Sequence, residues 1–211
     1  MDKKLYRVKE VFESIQGEGR WAGFKAVFVR FAGCNLDCGF CDEGGPESVG
    51  GFDEFTAQEL VGRIAEYESK IIVLTGGEPM LQLDEDLLRA LRKTMKAIHV
   101  ETNAEILPNV WTTAMADWWT FSPKTERGCD NVKKRLGTYG TGGCEIKTVF
   151  PYPMSQHGFE NLMTFLSGSG AEFYIQPLDN GYAETLGASE ILYRFPNARL
   201  SVQVHKILGV K

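Results

Sequence analysis

The stretch F-A-G-C-N-L-D-C-G-F-C-D, Phe31–Asp42, holds three of the 5 cysteines in this 211-residue chain. Cys34 and Cys38 are separated by three residues, and Cys38 and Cys41 by two. Three thiolates on one loop can hold three irons of a cubane iron–sulfur cluster. No fourth cysteine lies nearby to close the site. One iron would then stay open to bind a substrate, as an open position separates a catalytic from a structural zinc site. Other readings fit less well. Zinc usually takes four ligands arranged as two pairs, and His99, His157 and His205 are too scattered to supply an obvious fourth. A disulfide framework is poorly served by so few cysteines, and no apolar signal segment precedes the charged M-D-K-K start. Cys129 and Cys144 lie far downstream without partner spacing and read as ordinary thiols.

Composition indicates a soluble, cytoplasmic enzyme of one domain. The length suits one substantial domain better than two. A hydrophobic fraction of 43% with 24% charged residues is that of a globular protein. No apolar run is long enough to cross a bilayer. A net charge of -5 argues against wholesale binding of a phosphate backbone, so a small molecule is a better substrate than nucleic acid.

Outward from the cysteines, β-branched runs alternate with helical patterns. Strands are expected at Lys25–Phe31, Lys70–Thr75, Ile98–Thr102, Trp118–Ser122, Glu145–Phe150, Glu172–Gln176 and Leu200–His205, with a further strand near Tyr6–Ser14. Thr56–Tyr67 opens on a threonine cap and sets Leu60, Ile64 and Tyr67 on one face. Asp84–Met95 spaces Leu87, Leu88 and Leu91 as a helix would. Such alternation predicts an α/β fold with a mainly parallel sheet. Thr125–Gly143, rich in glycine and lysine with weak apolar periodicity, is expected to be a loop in place of one crossover helix.

Polar motifs follow the expected strands: the cysteine loop, T-G-G-E-P (Thr75–Pro79), E-T-N (Glu101–Asn103), S-P-K (Ser122–Lys124), Q-P (Gln176–Pro177) and H-K (His205–Lys206). The C-terminal ends of parallel strands form the active-site face of barrels and open α/β sheets. Any one of these motifs could be a plain turn or strand exit. Together they predict one shared site.

The cysteine spacing, with Phe40 just before the third thiol, resembles the signature of the radical S-adenosylmethionine (SAM) enzymes. The resemblance narrows when S-I-Q-G-E-G (Ser14–Gly19), V-R-F-A-G-C-N-L and the closing S-V-Q-V-H-K-I-L-G-V are taken together. On these segments, which span nearly the whole chain, the sequence is similar to the 7-carboxy-7-deazaguanine synthases. That resemblance implies an incomplete, TIM-like βα barrel of the radical SAM type, formed by residues 1–211 as a single core domain. It also implies ring contraction of 6-carboxy-5,6,7,8-tetrahydropterin to 7-carboxy-7-deazaguanine with loss of ammonia, on the route to queuosine and other 7-deazapurines.

Site residues follow from the same resemblance. Cys34, Cys38 and Cys41 would ligate a [4Fe–4S] cluster whose fourth iron is chelated by SAM, and a 5′-deoxyadenosyl radical would take hydrogen from C6 of the pterin. Gly76, Gly77 and Glu78 would hold the SAM amino group, and Glu101 and Ser122 the ribose and methionine portions. Phe40 would lie near the adenine, with Lys124 and Gln176 as further SAM candidates. Gln16 and Glu18 suit the pterin edge, Arg30 and His205 its carboxylate or ring carbonyl, and Thr75 a backbone contact. The terminal carboxylate of Lys211 is a candidate to close the site. An electron donor such as flavodoxin or ferredoxin and a symmetric homodimer are further expectations.

One departure stands out. The family usually shows Asp-Thr or Asp-Ser after the third cysteine, where the hydroxyl helps to bind Mg²⁺. This chain has Asp42 and Glu43. A carboxylate is a good hard-oxygen ligand, so Glu43 is expected to take over the Mg²⁺ role. Two alternatives remain open at this point. A glycyl-radical activase, or another small radical SAM enzyme, shares the cysteine triad, and the activase places its radical on a partner protein. A non-catalytic metal-binding module explains the cysteines but not the motifs that follow the strands.

Overall fold

The structure, a computed structural model, describes residues 4–42 and 51–211. They group into two compact units. Of these residues, the first unit takes 4–14, 25–42, 51–101 and 108–118, and the second Ile15–Phe24, Thr102–Leu107 and Trp119–Lys211.

In the first unit the strands are β1 (Leu5–Ile15), β2 (Lys25–Phe31), β3 (Asp53–Thr56), β4 (Ile71–Gly76) and β5 (Ala97–Thr102), in the order β3-β1-β2-β4-β5. β2, β4 and β5 are parallel, and β3 runs antiparallel to β1 at the edge. The centre is apolar on both faces: Ala26, Val27, Val29, Phe31, Ile72, Val73 and Leu74 are fully buried. That is why β2 and β4 read as continuous hydrophobic runs rather than alternating ones.

Helix α1 (Ala57–Ala65) starts where a capping box predicts. The Thr56 hydroxyl accepts from the Glu59 N–H, while the Glu59 carboxylate returns to the Thr56 N–H at 2.7 Å. Helix α2 (Glu85–Arg92) is capped by Asp84, which accepts from Leu87 N–H at 2.9 Å. Its Leu87, Leu88 and Leu91 are completely buried, each stabilising the unit by roughly 1.5–3 kcal/mol. The helix stops short of the expected Met95, which is 92% exposed and has a φ of 55°, outside helical space. A short α3 (Val110–Met115) completes the unit, with Asn109 as its cap.

The second unit is all parallel: β6 (Trp118–Phe121), β7 (Cys144–Phe150), β8 (Glu172–Pro177) and β9 (Ala198–Leu200), in that order. Its helices are α4 (Glu126–Tyr139), α5 (Gln156–Ser169), α6 (Tyr182–Arg194) and α7 (Val204–Leu208).

Two expectations are corrected here. The segment Thr125–Gly143 is not a loop: it contains the 14-residue α4. Thr125 caps it by accepting from Gly128 N–H at 3.0 Å, and Cys129, Val132 and Leu136 form a narrow buried seam. Arg135 widens that seam although it is charged. It is 3% exposed, its guanidinium lies 5.7 Å from the Phe121 ring and 5.0 Å from the Tyr139 ring, and it donates to the Gly140 carbonyl at 3.1 Å. Counting Arg135 as polar hides the period.

The run expected as a strand over Leu200–His205 is likewise only partly one. β9 ends at Leu200, and Val204 opens α7. The alternation is real, but the chain leaves the sheet because Gln203 N–H donates to Asn180 Oδ1 at 2.7 Å and Val204 N–H to the Gly17 carbonyl at 2.9 Å.

His99 on β5 is 4% exposed, and burial pushes its pKa down to about 4 against the pull of Asp117. A lowered histidine pKa means that the unfolded chain takes up a proton which the folded one refuses. Its contribution is present above the unfolded value of about 6.5 and is lost as pH falls from there toward 4. Urea midpoints at pH 7 and pH 5 should therefore differ less in His99→Gln than in the unchanged protein.

Candidate active site

The root of the cysteine loop is built by two motifs that lie far apart in sequence. In the parallel register of β2 and β4, Phe31 stands opposite Gly76. Just beyond, Gly77 N–H donates to the Phe31 carbonyl at 3.0 Å, and Glu78 N–H to the Gly33 carbonyl at 2.8 Å. The approach is so close that a Cβ on Gly77 would lie 1.9 Å from the Gly33 oxygen. Gln82 secures the same root from behind, donating to the Ala32 carbonyl at 2.9 Å while its own carbonyl accepts from Arg7 N–H at 2.7 Å. Glu78 is fully buried, and its Oε1 accepts from Met80 N–H at 2.9 Å. Thr75 and Glu101, neighbours across β4 and β5, are joined by a 3.0 Å hydrogen bond from the threonine hydroxyl.

None of Cys34, Cys38 and Cys41 is in a disulfide, and the first two are half-buried and the third exposed. Cys41 N–H closes a turn on the Cys38 carbonyl at 2.9 Å, and Leu36 N–H points at Cys34 Sγ at 3.4 Å. Burial pushes the Cys34 thiol up, with Glu78 and Cys41 adding to the effect, while the Leu36 and Asn35 backbone opposes it. A bound metal would displace that proton. Among the described residues, no three His, Cys, Asp or Glu side chains are gathered closely enough to hold a metal ion as placed. The donor set still fits a cluster with one open iron. It offers three thiols outside any disulfide on one loop, a backbone N–H already aimed at a sulfur, and a root fixed by backbone pairing. Phe40 is half-buried on this loop. Arg30 engages Glu10 through Nε at 3.1 Å and lies 5.4 Å over the Phe12 ring. Glu43 falls outside the described residues.

The second unit holds the Q-G-E-G turn. Gln16 is buried, its N–H pairs with the Phe24 carbonyl at 2.8 Å, and its side chain accepts from Glu18 N–H at 3.2 Å. Two glycines let the turn sit against other side chains. A Cβ on Gly17 would lie 1.9 Å from His205 Nδ1, and one on Gly19 would lie 2.1 Å from Glu145 Oε1. Glu145, buried on β7, accepts from Arg20 N–H at 2.8 Å and from the Thr120 hydroxyl at 2.9 Å. Glu18 pairs with Lys147 of β7 and accepts from Gln176 at 3.0 Å and Gln203 at 2.8 Å. Burial alone would raise the Glu18 carboxyl, but Lys147, Gln203 and His205 outweigh it and hold it down at about 2.

Ser122 sits just past β6. Its hydroxyl donates to the Lys147 carbonyl at 2.9 Å and accepts from Lys124 Nζ at 2.7 Å. Gln176, expected with SAM, spends its amide on Glu18. Lys211 is exposed.

Residues 28–117 match the Radical SAM superfamily model. A protein of Bradyrhizobium diazoefficiens named 7-carboxy-7-deazaguanine synthase is 37% identical over 98% of this chain and 99% of its own length. The chain belongs to the 7-carboxy-7-deazaguanine synthase family. A Caulobacter vibrioides protein of the same name is 36% identical over 97% of this chain and 99% of its own. The crystal structure of QueE from Escherichia coli superposes with a TM-score of 0.72 over 95% of both chains at 22% identity, which establishes the α/β partial-barrel fold. Family membership accounts for the cysteine triad, and radical SAM enzymes bind a [4Fe–4S] cluster and SAM.

Three residues packed around the Q-G-E-G turn escaped the sequence reading. Glu145, Lys147 and Gln203 sit in runs that look like ordinary strand alternation, E-I-K-T-V-F and S-V-Q-V-H. The available signal was two charges of opposite sign at alternate positions of a strand otherwise fit for burial. Such charges are seldom buried without partners.

The Gly77 approach gives a sharp test. Gly77→Ala should destabilise the metal-free protein by about 1–3 kcal/mol, since the methyl meets backbone that cannot retreat. Gly62→Ala on α1, where the added carbon meets nothing within 4 Å, should instead stabilise it by about 0.5–1 kcal/mol. Thermal melts of both variants check the contrast.

Proposed function

We propose that this chain converts 6-carboxy-5,6,7,8-tetrahydropterin to 7-carboxy-7-deazaguanine and ammonia. The observation that carries the reading is the end-to-end relationship to proteins of that name, 37% identical over 98% of this chain. It is supported by the backbone pairing that fixes the root of the three-thiol loop.

Cys34, Cys38 and Cys41 would hold the [4Fe–4S] cluster, which with SAM supplies the one-electron chemistry that opens the reaction at C6 of the pterin. The remaining work falls to side chains and backbone. Gly76, Gly77 and Glu78 offer carbonyls and a carboxylate suited to the ammonium of SAM. Glu101 and Ser122 suit its hydroxyl-bearing portions, Phe40 its adenine, and Lys124 is a further contact, while Gln176 has its amide on Glu18. Gln16 and Glu18 read the pterin edge, Arg30 and His205 its carboxylate or carbonyl, and Thr75 adds a backbone contact. The Lys211 carboxylate closes the site. Mg²⁺ bound through Glu43 would neutralise the substrate carboxylate. A flavodoxin or ferredoxin supplies electrons to a cytoplasmic homodimer. No helix of the described residues is long and apolar enough to cross a membrane.

Anaerobic turnover by reconstituted protein with SAM, dithionite and Mg²⁺ should yield 7-carboxy-7-deazaguanine only when the pterin is present. SAM cleavage without that product would move the substrate elsewhere. Cys38→Ser should lose cluster iron and turnover together. Activity should fall on Mg²⁺ removal and in Glu43→Gln, and indifference to both would remove the metal role of Glu43.

A further inference from the structure

Glu18 is held on both of its oxygens. Oε2 takes the Lys147 ammonium, while Oε1 accepts from Gln176 and Gln203 at 3.0 and 2.8 Å. The backbone beneath it is fixed as well: Gly19 N–H donates to Ser201 Oγ at 2.9 Å, Arg20 N–H to Glu145 at 2.8 Å, and Val204 N–H to the Gly17 carbonyl at 2.9 Å. Lys147, Gln176 and Gln203 are buried, yet the Glu18 side chain keeps 15% of its surface exposed. Three buried side chains thus converge on the carboxylate of one partly exposed side chain.

We propose that Lys147 is a positioning residue that keeps Glu18 an ionised, immobile acceptor, so that the substrate edge admitted there must be a row of N–H donors. The inference rests on the pterin reading above, in which a 2-amino-4-oxopyrimidine edge offers a ring N–H beside an amine. An ionised carboxylate presents lone pairs alone, whereas a protonated one presents an O–H and suits a different edge. Lys147 thus acts on selection without itself touching the substrate.

The groups facing Glu18 are Lys147 from β7, Gln176 from β8, and Gln203 and His205 from the segment after β9. Glu145 borders the same turn, with its oxygens engaged by the Arg20 N–H and the Thr120 hydroxyl. Of these, the Lys147 ammonium is the largest influence opposing burial. Without it, burial prevails, the Glu18 pKa rises, and acceptor strength is lost from the acid side upward.

The test is equilibrium binding of 6-carboxy-5,6,7,8-tetrahydropterin to the anaerobically reconstituted protein with SAM, between about pH 6 and 8.5. Lys147→Met should bind the pterin about tenfold to hundredfold more weakly near pH 7. Its ratio to the unchanged protein should shrink as pH rises, with SAM affinity kept. Lys147→Arg should restore most of the loss. Repeating the comparison in a His205→Gln background removes the other titratable group that acts on Glu18. A Lys147→Met protein that binds normally, or is weaker by one constant factor at every pH, overturns the proposal.

Infrared spectra of ¹³C-glutamate-labelled protein, with Glu18→Gln as the difference reference, give a second readout that needs no pterin. The Glu18 carboxylate band should persist below pH 4, and a band that titrates near the ordinary glutamate value of about 4.3 overturns the proposal. Failure of the unchanged protein to bind pterin would instead overturn the functional reading, leaving the infrared spectra of the unchanged and Lys147→Met proteins to decide whether Lys147 keeps Glu18 ionised.

Discussion

The site of the first unit depends on one backbone contact, the approach of Gly77 to Gly33. Two parallel strands deliver the ends of β2 and β4 to the same level, and the two chains stay paired past the sheet through Phe31, Gly33, Gly77 and Glu78. Any side chain at position 77 would occupy the space of the Gly33 oxygen. Because that contact is between main chains, its geometry does not depend on rotamers. The thiol loop therefore starts from a fixed point, and the G-G-E-P motif is placed beside it by the same bonds.

The second unit solves a different problem, that of burying charge. Glu18, Glu145 and Lys147 meet at one turn, and the two on β7 are no more than 5% exposed. Isolated burial of such groups is prohibitive, and removing one member of a buried pair typically costs about 3–5 kcal/mol. The unit meets that cost with complementary partners. Lys147 faces Glu18, while Glu145 takes a backbone N–H and a hydroxyl. Polar density of this kind adds little net stability, and its use is to hold particular groups in particular orientations.

Much of this was legible in the sequence. The apolar runs of β2 and β4 announced a parallel sheet because both faces are covered, and Thr56 and Asp84 marked helix starts through caps that involve only neighbouring residues. Legibility failed where a distant partner decides the outcome. α4 was obscured because Arg135 is buried on two aromatic rings, one of them on β6. α7 was obscured because Gly17 and Asn180 draw the chain away from its strand. The roles of Lys147 and Gln203 depend on Glu18, more than a hundred residues earlier in the chain. The candidate site was legible in its motifs and hidden in its supports.

The two glycines of Q-G-E-G have a consequence for how this chain can vary. Each is small because a specific side chain lies behind it, His205 behind Gly17 and Glu145 behind Gly19. Neither position can change alone without collision, because the added carbon would meet His205 or Glu145. Substitutions at 17 with 205, and at 19 with 145, are thus coupled as pairs, since residues in direct contact do not contribute independently. The motif is not four residues but six, and two of them, Glu145 and His205, are written far downstream.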